Sequence, residues 1–184
     1  MNALIFDCDG TLADTMPAHY RAWIEILRPH GVSFPEERFY SMGGMPTGKI
    51  LEVLFAGTGK VPDVVELTRQ KEAAFIEKVG EIRPIEKVVE VARRSRGNTP
   101  MAVASGGHRH MVELTLRQIG ILDWFPVLVA AEDTTRHKPE PDVFLEAARR
   151  LGVAPEACTV YEDTDLGIEA ARRAGMRWVD VRGL

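Results

Sequence analysis

Apolar residues gather in five short runs, at residues 3–7, 101–105, 127–131, 158–162 and 178–181, with turn-forming residues on either side. Runs of that length predict strands, and the mainly apolar ones predict strands buried on both faces. Between the later runs, apolar positions recur at helical spacing over residues 110–119, 141–151 and 167–174. Each period closes at a glycine, Gly120, Gly152 or Gly175, where a helix C-terminus favours one. Strands alternating with helices predict right-handed crossovers and a parallel sheet. Residues 15–82 break that alternation, with helical periods over 18–27, 47–56 and 64–79, loops at 30–35 and 56–62, and no strand pattern. The expected fold is therefore α/β, a parallel five-stranded sheet core with an inserted helical cap. Residues 1–14 and 83–184 form the core and residues 15–82 the cap. An insertion after the first strand sits over the carboxyl edge of the sheet, where open parallel sheets bind ligands, and is placed to act as a lid.

Composition is that of an ordinary globular chain: 184 residues, 45% hydrophobic, 27% charged, net charge −4. The most basic run, residues 92–96, ends an amphipathic segment, where arginines complement a helix dipole, so a nucleic-acid partner is not expected. The two cysteines, Cys8 and Cys158, make no disulfide framework and read as core residues of a reducing compartment. No apolar stretch reaches membrane-spanning length and the amino terminus carries no secretion pattern, so the expected location is the cytoplasm, with no membrane partner. No oligomeric interface is legible, and a monomer is expected.

Candidate chemistry lies at the ends of the predicted strands. The first run delivers Asp7 and Asp9 into Gly10-Thr11-Leu12. Two carboxylates so close repel, which favours a bound cation, a shared proton, or both, and oxygen ligands suit a hard ion such as Mg²⁺. The second strand ends in Ser105-Gly106-Gly107-His108, a hydroxyl followed by open backbone N–H groups that can cradle a phosphate oxygen. Beyond the third lies Lys138, the only lysine after Lys87 in a half whose other strong bases are arginines. Beyond the fourth come Glu162 and Asp163, acids that complete an oxygen shell or, with Thr164, a cap that starts a helix.

Asp7-Cys8-Asp9-Gly10-Thr11, Ser105, Lys138 and Glu162-Asp163 resemble, in order and spacing, the four motifs of the haloacid dehalogenase (HAD) superfamily, across essentially the whole chain. That resemblance implies a Rossmann-like core, Mg²⁺, and phosphoryl transfer through an aspartyl phosphate. By it, Asp7 is the nucleophile and a metal ligand, and Asp9 is the general acid/base whose backbone carbonyl also meets the metal. Ser105, Gly106 and Lys138 bind the phosphoryl group, and Asp163, with Glu162 beside it, completes the metal site. The dehalogenase branch does not fit, because it lacks the second aspartate of the first motif.

Within the superfamily the chain looks like the β-phosphoglucomutase and small sugar-phosphatase group. His19, in His19-Tyr20-Arg21-Ala22-Trp23, resembles a cap contact for proton coupling or for the leaving group, and Lys71 a cap lysine facing the site. Mutases of this type carry a cap-loop arginine that grips a second phosphate, whereas Gly43-Gly44-Met45-Pro46-Thr47-Gly48 has none. Thr11 stands where those mutases have an apolar residue and phosphatases have threonine. The implied function is therefore an Mg²⁺-dependent phosphatase acting on small phosphate esters such as fructose-1-phosphate. The mutase is the alternative, with Lys49 or Lys71 as a replacement anchor. A scaffold without turnover would have lost a catalytic group, and all are present.

Overall fold

All five apolar runs are strands, and their order explains their composition. In the computed structural model, which describes residues 2–184, β1 (Ala3–Phe6) is central. It pairs with β2 (Met101–Ala104) on one side, with β3 (Val127–Val129) beyond, and with β4 (Cys158–Glu162) on the other, with β5 (Arg177–Asp180) beyond. Every pair is parallel, and Ile5 lies opposite Ala102 and Val160. A strand paired on both edges and covered on both faces has no side to show water, so β1 and β2 read as continuous apolar runs. The edge strand β5 exposes Arg177 and Trp178 and begins one residue earlier than its apolar pattern indicates.

Three strands end before the predicted Asp7, Ser105 and Ala131, at Phe6, Ala104 and Val129. Pairing continues for one more bond in two of them. The Asp7 N–H donates to the Tyr161 carbonyl and the Ser105 N–H to that of Val129, each at 3.0 Å. The chemical groups thus occupy the first step off a fixed ladder, anchored in backbone yet free in side chain.

The stretch after β1 folds into α1 (Met16–Leu27), α2 (Glu36–Ser41), α3 (Thr47–Phe55) and α4 (Val64–Ile76). Their apolar faces meet in one cluster around Trp23, Leu27, Phe34, Leu51 and Phe75. Trp23 and Phe34 stand edge to face at 89°, the arrangement that aromatic quadrupoles prefer. The predicted loop ends in α2, whose only buried residue is Phe39, too little apolar pattern to mark a helix. The helix predicted to reach residue 79 stops at Ile76, and a 3₁₀ turn over Val79–Glu81 completes the apolar period.

On the sheet, side-chain alternation sorts the two faces. Ala3 and Ile5 pack with Phe144 and Ala147 of α7 (Asp142–Leu151) and Ala170 of α8 (Asp165–Arg173). Phe6 and Cys8 face the other way, against Val88 of α5 (Glu86–Ser95) and Leu116 of α6 (Arg109–Gln118). Helices α6, α7 and α8 end at the glycines their periods indicated, each of which has positive φ. Cys8 and Cys158 are both free and buried. Among the described residues no helix is long and apolar enough to cross a membrane.

Candidate active site

The centre of the site is a buried ion triad. Lys138 Nζ lies 2.6 Å from Asp7 Oδ1 and 2.7 Å from Glu162 Oε2, with all three side chains nearly inaccessible to water. Burial would push an ammonium towards its neutral form, yet two carboxylates in direct contact outweigh it and hold Lys138 above its ordinary value. Burial also pushes the Asp7 carboxyl well above its ordinary value. Lys138 pulls against that push, while Glu162, Asp163 and Asp9 add to it. The cluster therefore holds more negative charge than Lys138 alone balances.

That surplus suits a divalent cation. One oxygen from each of Asp7, Glu162 and Asp163 lies within 4.8 Å of the others. Burial, with Glu162 nearby, raises the Asp163 carboxyl to about 7, an instability that a hard cation would relieve. The oxygens of Glu162 already have partners, however. Oε2 accepts from Lys138, and Oε1 accepts from the Thr164 hydroxyl at 2.7 Å and the Thr164 N–H at 3.0 Å. Asp7 and Asp163 are thus the side chains best placed as ligands, and Glu162, predicted beside Asp163, is first the anchor of Lys138.

Close approach explains two glycines. A Cβ on Gly10, whose φ is +82°, would lie 2.3 Å from Asp163 Oδ2, and one on Gly167 would lie 2.0 Å from Glu162 Cδ. Only glycine lets the turn at Gly10 and the first turn of the helix at Gly167 close on the carboxylates. The turn after Asp9 ties the Cys8 carbonyl to the N–H groups of Leu12 and Ala13, and the Gly10 N–H to the Ala13 carbonyl. None of these bonds uses the Asp9 carbonyl. Thr11 is buried and donates its hydroxyl to Asp163 Oδ1 at 2.8 Å, so it orients that carboxylate and does not line the cleft.

Ser105 is buried at the end of β2, where its Oγ accepts from the Gly107 N–H at 3.0 Å, leaving its hydroxyl proton to donate. The Gly106 N–H has no hydrogen-bond partner among the described residues, and both residues face the cleft. Ser105, Gly106 and Lys138, expected to cradle a phosphate, all face this cleft.

The cap contributes two groups, Lys71 and His19, to a chain of three that ends at Asp9. Lys71 Nζ lies 2.9 Å from His19 Nδ1, and His19 Nε2 lies 3.3 Å from Asp9 Oδ1. An ammonium only donates, so Nδ1 accepts and the imidazole proton sits on Nε2, where it points at Asp9. Burial and the Lys71 charge hold His19 below its ordinary value, which favours this neutral tautomer. Burial would raise Asp9, but the His19 hydrogen bond and charge, with Lys71, leave it below its ordinary value. His19 stacks on Phe75 at 4.0 Å, which fixes the ring.

Burial also lowers Lys71 from 10.5 to about 8. The folded chain therefore releases this proton near pH 8 while the unfolded chain holds it to 10.5. The penalty is full below pH 8 and fades as pH rises towards 10.5. Lys71→Met is expected to raise stability at pH 7 by at most about 3 kcal/mol, at 1.36 kcal/mol per unit, since the variant also leaves His19 Nδ1 without its donor. Thermal melts should show that advantage shrinking by pH 10, and a variant less stable than the parent at pH 7 would contradict the assignment.

These groups line a cleft of about 630 Å³ between the sheet edge and the cap, closed by residues 43–48. A Cβ on Gly44 would lie 3.3 Å from Thr164 Oγ1, so the cap loop rests directly on the loop after β4. Lys49 is not brought there; it is exposed and pairs with Glu52 at 2.8 Å. Three residues with functional contacts went unassigned in the sequence. Thr164 and Gly167 fix Glu162, and Glu72 meets His108 across the seam between cap and core. The signals were present as a threonine before a helix and as two histidines, His108 and His110, after the glycine pair.

Comparison with known proteins agrees with this geometry. The sequence model of the haloacid dehalogenase-like hydrolase family matches residues 1–175. The fructose-1-phosphate phosphatase YqaB of Escherichia coli (strain K12) is 39% identical over 180 residues, which cover 97% of this chain and 95% of that one. Among solved structures, the β-phosphoglucomutase of Clostridium difficile superposes with a TM-score of 0.84 at 25% identity, covering 97% of this chain and 83% of its own. CbbY of Rhodobacter sphaeroides, solved with xylulose-(1,5)bisphosphate, gives 0.85 at 28% identity, with 97% and 84% covered.

Proposed function

This chain belongs to the haloacid dehalogenase-like hydrolases and is a phosphomonoester hydrolase, and we propose that it releases phosphate from small sugar monophosphates such as fructose-1-phosphate, with Mg²⁺ and through an aspartyl phosphate on Asp7. The observation that carries this reading is the Asp7–Lys138 contact beside Ser105, with Asp9 held from the cap by His19. Residues 1–14 and 83–184 then act as the catalytic core and residues 15–82 as its cap. The free, buried cysteines fit a reducing compartment, the cytoplasm.

In the first step an Asp7 oxygen attacks phosphorus while the P–O bond to the sugar breaks. Asp9, ionised at rest, relays a proton to the departing oxygen: His19 Nε2 gives its proton to Asp9 as Lys71 gives one to Nδ1, and Asp9 passes it on and is left as a carboxylate. In the second step Asp9 takes a proton from water, which attacks phosphorus and returns the Asp7 carboxylate with inorganic phosphate. Lys138, Ser105 and the Gly106 N–H hold the phosphoryl oxygens with donors already aimed at them. A Mg²⁺ held by Asp7, Asp163 and the Asp9 carbonyl would neutralise phosphoryl charge and keep the nucleophile ionised.

Among the described residues that line the cleft there is no arginine, Lys49 points elsewhere and Lys71 is engaged with His19, so a bisphosphate intermediate finds no uncommitted second cation. This favours hydrolysis over the mutase alternative. Phosphorus NMR on fructose-1-phosphate and on β-glucose-1-phosphate, with Mg²⁺ and then with EDTA, tests the reading. Inorganic phosphate without added sugar bisphosphate is the expected product, and chelation should stop its release until Mg²⁺ is returned. Full activity in EDTA would remove the metal, and glucose-6-phosphate forming faster than phosphate would establish the mutase.

A further inference from the structure

The cleft has an unusual charge balance. Its two lysines are both committed, Lys138 to Asp7 and Glu162, and Lys71 to His19 between the rings of Trp23 and Phe75. Two further acids face the cleft, Glu132 and Glu72. Glu132 turns both oxygens onto the Arg109 N–H, at 3.1 and 3.0 Å, and so serves the start of α6. Glu72 differs. It extends from α4 of the cap to the core, with Oε1 2.5 Å from His108 Nδ1 and Oε2 3.7 Å from His110 Nε2. The two imidazoles lie 22° from parallel and hold the carboxylate from one side. A carboxylate has about four acceptor positions and only His108 Nδ1 lies within hydrogen-bond distance, so positions remain for a ligand. His108 also faces the cleft, next to Gly107 in the phosphate-binding loop.

We propose that Glu72, braced by His108 and His110, is the specificity residue of this cleft: it accepts hydroxyl groups at the far end of a sugar monophosphate and keeps a second phosphate or a carboxylate out. The inference rests on the phosphatase reading for the phosphorylated end of the substrate. A paired carboxylate is a strong acceptor for adjacent hydroxyls. It is also hostile to an anion, because the lysines of the cleft are already engaged with Asp7, Glu162 and His19. Discrimination here works by exclusion as much as by attraction. The matching substrate has one phosphate, two or more neighbouring hydroxyls, and no charge at the other end.

Calorimetric titration in Mg²⁺ buffer tests this without turnover, using the Asp7→Asn chain as the Glu72-intact reference. Fructose-1-phosphate should bind at least about tenfold more tightly than fructose-1,6-bisphosphate. Adding Glu72→Gln should weaken the monophosphate by roughly tenfold and close most of the gap, and adding Glu72→Lys should reverse the preference. An unchanged ratio in both variants, or a bisphosphate that binds the Glu72-intact chain as tightly as the monophosphate, would overturn the proposal. Thermal melts identify a variant that fails to fold, and the other variant then decides. Phosphate release by the unaltered chain judges the hydrolase reading separately. No release with the binding preference intact sinks that reading alone, and release with an unchanged ratio sinks this one alone.

Discussion

Replacing Asp7 by asparagine lowers kcat for sugar-monophosphate hydrolysis by at least about a thousandfold while the chain keeps its fold. The amide has the shape of the carboxylate but no nucleophilic oxygen anion, and it takes one charge from the acidic cluster that suits a divalent cation. Losses of roughly 10³ to 10⁶ are typical when a group that bonds covalently to substrate is removed. The fold survives because Lys138 keeps Glu162 as a buried partner at 2.7 Å, and because the Asp7 backbone N–H still pairs with Tyr161. Phosphate release measured beside a thermal melt decides the point. A variant that retains more than about a hundredth of the parent rate would move the nucleophile away from Asp7.

Replacing Lys138 by methionine costs about 3–5 kcal/mol of stability as well as activity, because it strands two buried carboxylates. Asp7 and Glu162 lie 2.6 and 2.7 Å from the ammonium, and both are shielded from water. Asp7 is already raised by burial, and without Lys138 it rises further. A carboxyl whose folded pKa lies above its unfolded value binds its proton more tightly in the folded chain. The folded state therefore loses stability as pH climbs from the ordinary carboxylate range through the raised value. Urea melts at pH 5 and pH 7.5 should show a larger deficit at the higher pH. A deficit below about 1 kcal/mol at both would mean that water screens the triad after all.

Strand and helix identity was legible because each depends on neighbours within one turn or one strand. Residues 101–105 and 158–162 announced buried strands by apolar content, and Gly152 and Gly175 marked helix ends. The placement of Asp7, Ser105, Lys138 and Asp163 beyond strand ends follows from the same local pattern, joined to a parallel sheet. Local pattern fails where burial is thin, as in α2 with Phe39 alone, and on β5, which has one open edge.

The amino-acid sequence by itself determined which elements form, in what order, and which chemical groups stand at the edge where a ligand binds. Only the tertiary structure decided which of those groups meet. Lys138 and Asp7 are 131 positions apart, and Thr11 and Asp163 are 152 apart. Such pairs depend on strand order and register, which no local periodicity encodes. The same holds for the cap: nothing in the spacing of residues distinguishes Lys71, buried against His19, or Glu72, turned to His108, from Lys49, which faces water. Their roles were set when the helices packed. Burial in that packing moved the Lys71 and Asp163 protons towards neutral pH, and proximity across the seam gave each carboxylate its partner.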